Sequence, residues 1–209
     1  MSLNLVLFIL VVIFIVGWFA VGTHYNVRKG EDALRWLQQG LPLVGEKTTM
    51  RWLGSSIVEL KIQQAKAPFR DAEVLVVLEP RDVALLWWIA RLRGRRDLFV
   101  FRGTLRRAPR VELVAADHHA WTLGGNDPRM KSEQWSSQSV PPLTIYSPAN
   151  FSAAAAVANL AAADDGCPAV RLSVRRTAPN LEVQWRLADV RRQSSLDIVE
   201  TVRRLAESV

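Results

Sequence analysis

The chain carries at residues 3–22 the stretch LNLVLFILVVIFIVGWFAVG, which contains no charged residue. Only Asn4 in this stretch is clearly polar, and the other side chains would be apolar around a whole helix rather than along one stripe. At a rise of 1.5 Å per residue, about 20 helical residues cover the roughly 30 Å hydrocarbon core of a bilayer. The stretch therefore predicts one N-terminal transmembrane helix.

The flanking residues are typical of a membrane–water interface. Trp18 and Tyr25 lie where interfacial aromatic residues occur, and Arg28 and Lys29 follow them. A cleaved signal peptide is the alternative interpretation, because Ala20-Val21-Gly22 offers a small–x–small pattern. An uncleaved signal-anchor is favoured, because no basic side chain precedes the stretch and the apolar run is longer than in signal peptides.

The distribution of basic residues around the stretch predicts its orientation. Residues 1–4 contain no basic side chain, whereas Arg28, Lys29 and Arg35 follow the stretch closely. Basic residues favour the cytoplasmic side, so we predict a single-pass protein of the cell membrane with its C-terminal domain in the cytoplasm. The chain has one cysteine, Cys167, and therefore needs no oxidising compartment for an internal disulfide.

The clearest strand pattern lies near the C-terminal end of the sequence. Residues 170–176 and 181–188 alternate between apolar and polar side chains, which predicts a hairpin with one face in the core and one in water. The predicted core face consists of Val170, Leu172, Val174, Leu181, Val183, Trp185 and Leu187. The predicted water face consists of Arg171, Ser173, Arg175, Glu182, Gln184 and Arg186.

The remaining periodicity predicts further strands and helices in mixed order. We expect strands at 58–63, 73–78, 98–102, 111–116 and 143–146, and helices at 31–39, 81–93, 151–163 and from Ser194 or Ser195 onward. An arginine-rich turn at 104–109 is expected to join two of the strands as a hairpin. The predicted class is α+β, with helices packed on a mainly antiparallel sheet.

The same patterns predict three parts of the chain. Residues 1–24 form the transmembrane anchor, 25–47 a juxtamembrane helix and linker, and 48–209 a soluble α+β domain. A stretch rich in Gly, Asn, Pro and Ser at about 122–142 is expected to be a long loop inside that domain.

The excess positive charge is confined to one segment. Residues 91–110 contain eight arginines and one acid, Asp97, which accounts for the whole net charge of +7. Such a local excess indicates an anionic partner. The candidates are an anionic lipid surface and other subunits of a membrane complex. Nucleic acid is less favoured, because the rest of the domain is neutral and the chain is membrane-tethered.

The apolar segment before these arginines supports two interpretations. Residues 83–90 are all apolar and include Trp87 and Trp88, yet eight residues cannot span a bilayer. The segment is either a core helix or a surface helix that inserts into the headgroup region. The predicted membrane or partner contacts are Trp87, Trp88, Arg91, Arg93, Arg95, Arg96, Arg102, Arg106, Arg107 and Arg110.

One short motif suggests an enzyme as the alternative. Asp117-His118-His119 resembles the Asp-His-His signature of a phosphoesterase superfamily, which implies a metal-dependent hydrolase. That superfamily also needs separate aspartate motifs upstream, and the acids before Asp117 stand in unrelated contexts. The sequence contains no phosphate-binding Gly-rich loop, nucleophile elbow, His-Glu-x-x-His or Cys-x-x-Cys. No cofactor and no catalytic residue is predicted, and a membrane-anchored interaction or scaffolding protein is the favoured function.

Overall fold

The computed structural model describes residues 2–124, 127–148, 151–162 and 167–209. The helices are α1 (Leu3–Leu37), α2 (Leu41–Val44), α3 (Ala84–Leu92), α4 (Phe151–Ala162), α5 (Leu187–Val190) and α6 (Ser195–Ser208). The strands are β1 (Lys47–Trp52), β2 (Ile57–Gln63), β3 (Phe69–Val77), β4 (Leu98–Leu105), β5 (Leu113–Ala116), β6 (Ser136–Val140), β7 (Leu143–Ser147), β8 (Arg171–Val174) and β9 (Leu181–Arg186).

Within the described residues, the nine strands form one sheet in the order β1-β2-β3-β4-β9-β8-β5-β7-β6. Every pair of neighbouring strands is antiparallel. The predicted α+β class with a mainly antiparallel sheet is therefore confirmed. The division of the chain into anchor, linker and soluble domain stays a prediction.

Helix α1 is one continuous element of 35 residues. Its first part, residues 3–21, is almost wholly exposed, and its second part buries a stripe of residues at helical spacing. That stripe consists of Gly22, Asn26, Gly30, Ala33, Leu34 and Leu37. The helix predicted separately at 31–39 is therefore the end of α1, and it packs on the domain core.

The main core lies on one face of the sheet. Val74, Phe99, Phe101 and Trp185 from the central strands contact residues of α1, α4 and α6 there. The opposite face carries a smaller apolar cluster of Leu75, Val77, Leu98, Val100 and Val170. Strand β3 contributes to both clusters, as its run of apolar residues predicts for a central strand.

Most of the predicted water face of the β8–β9 hairpin is buried, contrary to the prediction. Arg171, Ser173, Glu182 and Gln184 are all at most 5% exposed, whereas Arg175 is half-buried and Arg186 is exposed as predicted. The loop before β6 covers the four buried side chains: the Gln184 side chain donates to the Leu123 carbonyl and accepts from the Leu123 amide, each at 2.8 Å. The predicted core face of the hairpin is fully buried.

The long loop is also more structured than predicted. A 3-10 turn at Pro128–Lys131 and the edge strand β6 occupy its described part. Asp127 holds the turn against the sheet through ion pairs of 2.7 Å to Arg129 and 3.1 Å to Arg171. The hydrogen bonds from Arg129 outweigh burial and lower the pKa of Asp127. Serine-rich β6 lacks apolar alternation, which is why its sequence did not indicate a strand.

Strands β4 and β5 do not form the predicted hairpin. Strand β4 pairs with β3 and β9, and β5 pairs with β7 and β8. The β8–β9 hairpin lies between them in the sheet. The arginine-rich turn instead folds back toward β3, where the Arg106 side chain donates to the carbonyls of Phe69 and Ala65.

Candidate membrane interface

Helix α3 has no buried side chain, although every residue in it except Arg91 is apolar. The exposed fractions are 77% for Leu92, 70% for Leu85 and 58% for Trp88. Leu86 and Ile89 of the same helix are also exposed, and so is Val83 immediately before it. The interpretation of this segment as a core helix is therefore wrong. These six large apolar side chains form one exposed apolar patch, and such a patch is characteristic of an interaction surface.

Local backbone geometry sets the two ends of α3. Val83 has an extended backbone immediately before the first helical residue. Gly94 has a φ of +77°, a left-handed conformation that ends helices and favours glycine. The sequence predicted a start at Arg81, but Arg81 and Asp82 are engaged elsewhere, and the Asp82 carboxylate accepts from the Ser55 hydroxyl at 2.7 Å.

The segment that leads into α3 packs directly against α1. The Trp18 indole donates to the Arg81 carbonyl at 2.9 Å, and the rings of Trp18 and Trp87 lie 6.1 Å apart. At Gly22 the two backbones are so close that an added Cβ would lie 2.1 Å from the Arg81 oxygen. Helix α3 is therefore level with Trp18 and Gly22, at the end of the charge-free part of α1.

A buried ionic network joins α1 to this segment. The Asp97 carboxylate is 8% exposed and forms a bidentate pair with Arg81, with two contacts of 2.9 Å. It also accepts from Lys29 of α1 at 2.6 Å and from the Glu79 amide at 2.7 Å. Asp97 thus neutralises two cations that come from different elements.

The Asn26 side chain adds hydrogen bonds to the same network. This fully buried side chain donates to the Glu79 carbonyl at 3.1 Å and to the Ser56 hydroxyl at 3.3 Å. Its carbonyl oxygen accepts from Arg81 at 3.2 Å. Because the NH2 group and the carbonyl group of a buried amide both need hydrogen-bond partners, Asn26 fixes the rotation of α1 relative to the sheet.

The network shifts two ionisation equilibria. Burial alone would raise the pKa of Asp97, but hydrogen bonds from Arg81 and Lys29 outweigh it and hold that pKa below its ordinary value of 3.8. The same pairing raises the pKa of Arg81 against the opposing effect of burial. Both groups are therefore charged at neutral pH.

Four of the predicted arginines lie at the C-terminal end of α3. Arg91, Arg93 and Arg96 are exposed, and the guanidinium of Arg95 stacks 4.7 Å from the centre of the Trp121 ring. Cations at this position also face the negative end of the helix dipole. Trp87 is half-buried and donates to the Glu79 carboxylate at 2.6 Å, whereas Trp88 points outward.

The other four predicted arginines lie elsewhere on the domain. Arg102 is on β4 and pairs with Glu182 at 2.8 Å. Arg106, Arg107 and Arg110 follow β4 and line a cavity beside Val209. Strand β4 runs for about 24 Å between the arginines at the end of α3 and Arg106, at 3.4 Å per residue, and Arg102 lies part-way along it. The basic segment 91–110 is therefore not one continuous surface, and only its part at residues 91–96 adjoins α3.

The Asp117-His118-His119 motif forms a turn after β5. The Asp117 carboxylate accepts from the His119 amide at 2.8 Å, and His118 contacts the Tyr146 hydroxyl at 2.9 Å through Nε2. Among the described residues, no three His, Cys, Asp or Glu side chains are grouped so as to hold a metal ion. The geometry gives no support to the hydrolase hypothesis.

Sequence reasoning missed Asn26, Glu79, Arg81 and Asp97 as site residues. Tyr25 and Lys29 were predicted as interface residues, and both lie beside Arg81, whose guanidinium is 5.2 Å from the Tyr25 ring centre. The position of Asn26 one turn from Gly22 and one turn from Gly30, on the same face of the helix, was the available signal. Glu79 and Asp97 gave no such signal, because their partners in α1 are distant in sequence.

Comparison with known proteins adds no assignment. No protein-family model matches this chain, and no curated protein matches it. The functional conclusion therefore rests on the geometry of α1, α3 and the network between them. Helix α1 is long and apolar enough to cross a membrane, by its length and composition.

Proposed function

We propose that this protein is a single-pass, membrane-anchored interaction module whose domain is held on the bilayer surface by two attachments. The first is the charge-free part of α1, and the second is helix α3. The observation that carries the proposal is that an apolar helix without a buried side chain is held beside α1. Its Trp87 ring lies against Trp18, and the segment before it packs on Trp18 and Gly22.

The position of α3 along α1 supports this arrangement. Residues 3–22 have the length that covers a hydrocarbon core of roughly 30 Å. Gly22 then lies at the boundary between hydrocarbon and headgroups, and α3 lies at the same level. A helix of nine residues is too short to span a bilayer, so it would lie in the plane of the interface with its apolar side chains in the acyl region.

The energetics favour immersion over exposure to water. Removing one large apolar side chain from water is worth about 1.5–3 kcal/mol. Six such side chains in and beside α3 are exposed. Immersion adds no new ordering cost to the chain, because the contacts to α1 already hold α3 in place.

The charges at the end of α3 support contact with an anionic leaflet. Arg91, Arg93 and Arg96 are exposed there, and each basic residue near such a surface contributes about 1 kcal/mol. Anionic lipids are characteristic of the cytoplasmic leaflet, which agrees with the orientation expected from Arg28, Lys29 and Arg35. We therefore place the domain in the cytoplasm, at the cell membrane.

Two attachments would give the domain a fixed height and orientation. The second half of α1 is part of the domain core, so the anchor is joined rigidly to the domain and not through a flexible linker. The faces away from α3, including the surface of Arg107 and Arg110, would then meet other subunits of a membrane complex at a high effective concentration.

Photo-crosslinking to lipid acyl chains tests the proposal on the unmodified chain. The protein would be reconstituted into nanodiscs that contain phospholipid with a diazirine in its acyl chain, irradiated and digested with trypsin. Cleavage after Arg81 and Arg91 gives peptide 82–91, which contains most of α3. We expect lipid adducts on this peptide because its side chains would lie among acyl chains.

Peptide 193–203 is the matched control. It also ends at trypsin sites and contains an exposed leucine, Leu196, which is 43% exposed. No adduct is expected there. Adducts confined to the N-terminal part of α1, with peptide 82–91 as unmodified as the control, would contradict the proposed function.

A further inference from the structure

An open cleft lies between α1 and α3. It has a volume of about 460 Å³ and is lined by Tyr25, Lys29, Arg81, Trp87 and Arg91. Two of these side chains are aromatic and three are cationic. Arg81 lies over the Tyr25 ring, and Arg91 lies over the Trp87 ring at 5.8 Å from its centre.

The carboxylates that pair with these cations lie behind them. Glu79 is 2% exposed and Asp97 8% exposed, whereas Lys29 is 27% and Arg91 51% exposed. The three cations exceed the two carboxylates by one charge. Lys29 and Arg91 form the accessible layer, whereas Arg81 is only 15% exposed and lies deeper, paired with Asp97 and Glu79. Arg91 contacts Glu79 only at 3.4 Å, so much of its hydrogen-bonding capacity is directed outward.

The cleft lies at the level expected for lipid headgroups. Tyr25 and Lys29 are three and seven residues beyond Gly22, which is about 5 and 10 Å along a helix. The headgroup layer on each side of the hydrocarbon is about 5–8 Å thick, so the Tyr25 backbone lies within it and the Lys29 backbone just beyond its outer boundary. A phosphate in that layer would meet the side chains of the cleft, while its acyl chains would lie beside Trp18 and α3.

We propose that this cleft binds the phosphate group of one anionic phospholipid through Arg91 and Lys29, with Arg81 adding positive charge behind them. Guanidinium groups form short, charge-assisted and often bidentate hydrogen bonds with phosphate oxygens. The single excess charge matches a phosphodiester whose headgroup carries no ammonium. A zwitterionic lipid would bring its own cation into a site that already has three.

This inference rests on the proposed function, because the cleft faces headgroups only when α3 lies in the bilayer surface. The proposed site would bind one lipid per protein and would select among headgroups. The contact of the apolar side chains of α3 with acyl chains does not depend on the headgroup. Both aromatic residues of the cleft also suit this environment, since their rings fit the boundary between acyl chains and water.

Native mass spectrometry of the detergent-purified full chain tests the site. The protein would be titrated with phosphatidylglycerol and with phosphatidylcholine of the same acyl chains. We expect one phosphatidylglycerol to bind about tenfold more tightly than phosphatidylcholine, as one charge-assisted interaction implies. Arg91→Gln should remove this preference, and its folding is checked by the inaccessibility of the buried Cys167 thiol.

Arg93→Gln is the matched control, because Arg93 is exposed at the end of α3 and does not line the cleft. It should leave the lipid preference within about twofold. Equal effects of the two substitutions, or no preference in the wild type, would overturn the site. Displacement of the lipid by millimolar inorganic phosphate would also overturn it, because the ligand would then be a free anion.

The two proposals fail in different ways. Loss of the phosphatidylglycerol preference with peptide 82–91 still crosslinked to lipid would refute the headgroup site alone. Absence of crosslinks on that peptide would refute the bilayer contact of α3, whatever the cleft binds.

Discussion

Replacing Asp97 with asparagine is expected to destabilise the protein by about 3 kcal/mol, as removal of one partner from a buried ion pair does. Asp97 pairs with both Lys29 and Arg81, and the substitution leaves these cations without their main counter-charge. The value falls at the low end of the usual range because Arg81 retains Glu79 at 3.4 Å and Lys29 is partly exposed.

Thermal unfolding in detergent, followed by the reaction of Cys167 with a thiol-sensitive dye, measures this effect. Cys167 is the single cysteine and is fully buried, so its reaction reports opening of the domain. Asp71→Asn is the control, because Asp71 is 54% exposed and its one ion pair among the described residues is with its neighbour Arg70. Equal unfolding temperatures for the two variants would contradict the role of Asp97.

The acid dependence of the same variant provides a second readout. The pKa of Asp97 is lower in the folded protein, so its contribution is complete above the ordinary value of 3.8 and is lost as pH falls through the folded value. The difference between wild type and Asp97→Asn should therefore be constant above about pH 5 and shrink below about pH 4. A difference that grows in acid would contradict the account.

Substituting Gly22 with alanine is expected to cost about 2–3 kcal/mol, the range for overpacking plus one lost hydrogen bond. The new Cβ would lie 2.1 Å from the Arg81 carbonyl oxygen, and backbone cannot move aside as a side chain can. The segment before α3 would have to separate from α1, which would also break the 2.9 Å hydrogen bond from Trp18.

Gly17→Ala is the matched control for this prediction. Both glycines lie in α1, so the gain in helix propensity is the same in the two variants. An added Cβ at Gly17 has no neighbour within 4 Å among the described residues. The thermal midpoint should fall for Gly22→Ala and stay the same or rise for Gly17→Ala. Equal midpoints would show that α1 and the Arg81 segment do not pack closely.

Periodicity in the sequence predicts those elements whose side chains face one environment. The charge-free run of α1 and the alternating residues of β8 and β9 were predicted in this way, and the mixed order of all strands and helices predicted the α+β class. Strand order could not be predicted, because pairing of β4 with β9 rather than β5 depends on contacts distant in sequence. The burial of Gln184 was missed for the same reason: a remote loop covers it.

The candidate site was predicted in part. Local composition pointed to Trp88 and Arg91, because an apolar segment followed by arginines is visible in the sequence. It could not distinguish a core helix from a surface helix, since both are apolar all round. The network of Asn26, Arg81 and Asp97 joins residues up to 71 positions apart, so no local pattern could indicate it.

The depth of α3 in a bilayer decides whether this helix is a second membrane attachment of the domain. A nitroxide would be attached at Leu92→Cys in a Cys167→Ala background, with the full chain in nanodiscs. Its accessibility to oxygen would be compared with its accessibility to a water-soluble nickel complex. Leu92 is 77% exposed in the structure, so its label reports the surroundings of α3 and not the protein interior.

Leu196→Cys is the reference position. It lies near Trp36, which donates to the Gln193 carbonyl, and is therefore about 20 Å beyond Gly22 along α1. The account predicts that the label at residue 92 is more accessible to oxygen and the label at residue 196 to the nickel complex. Preferential access of the nickel complex to both labels would show that α3 lies in water, and would contradict the account.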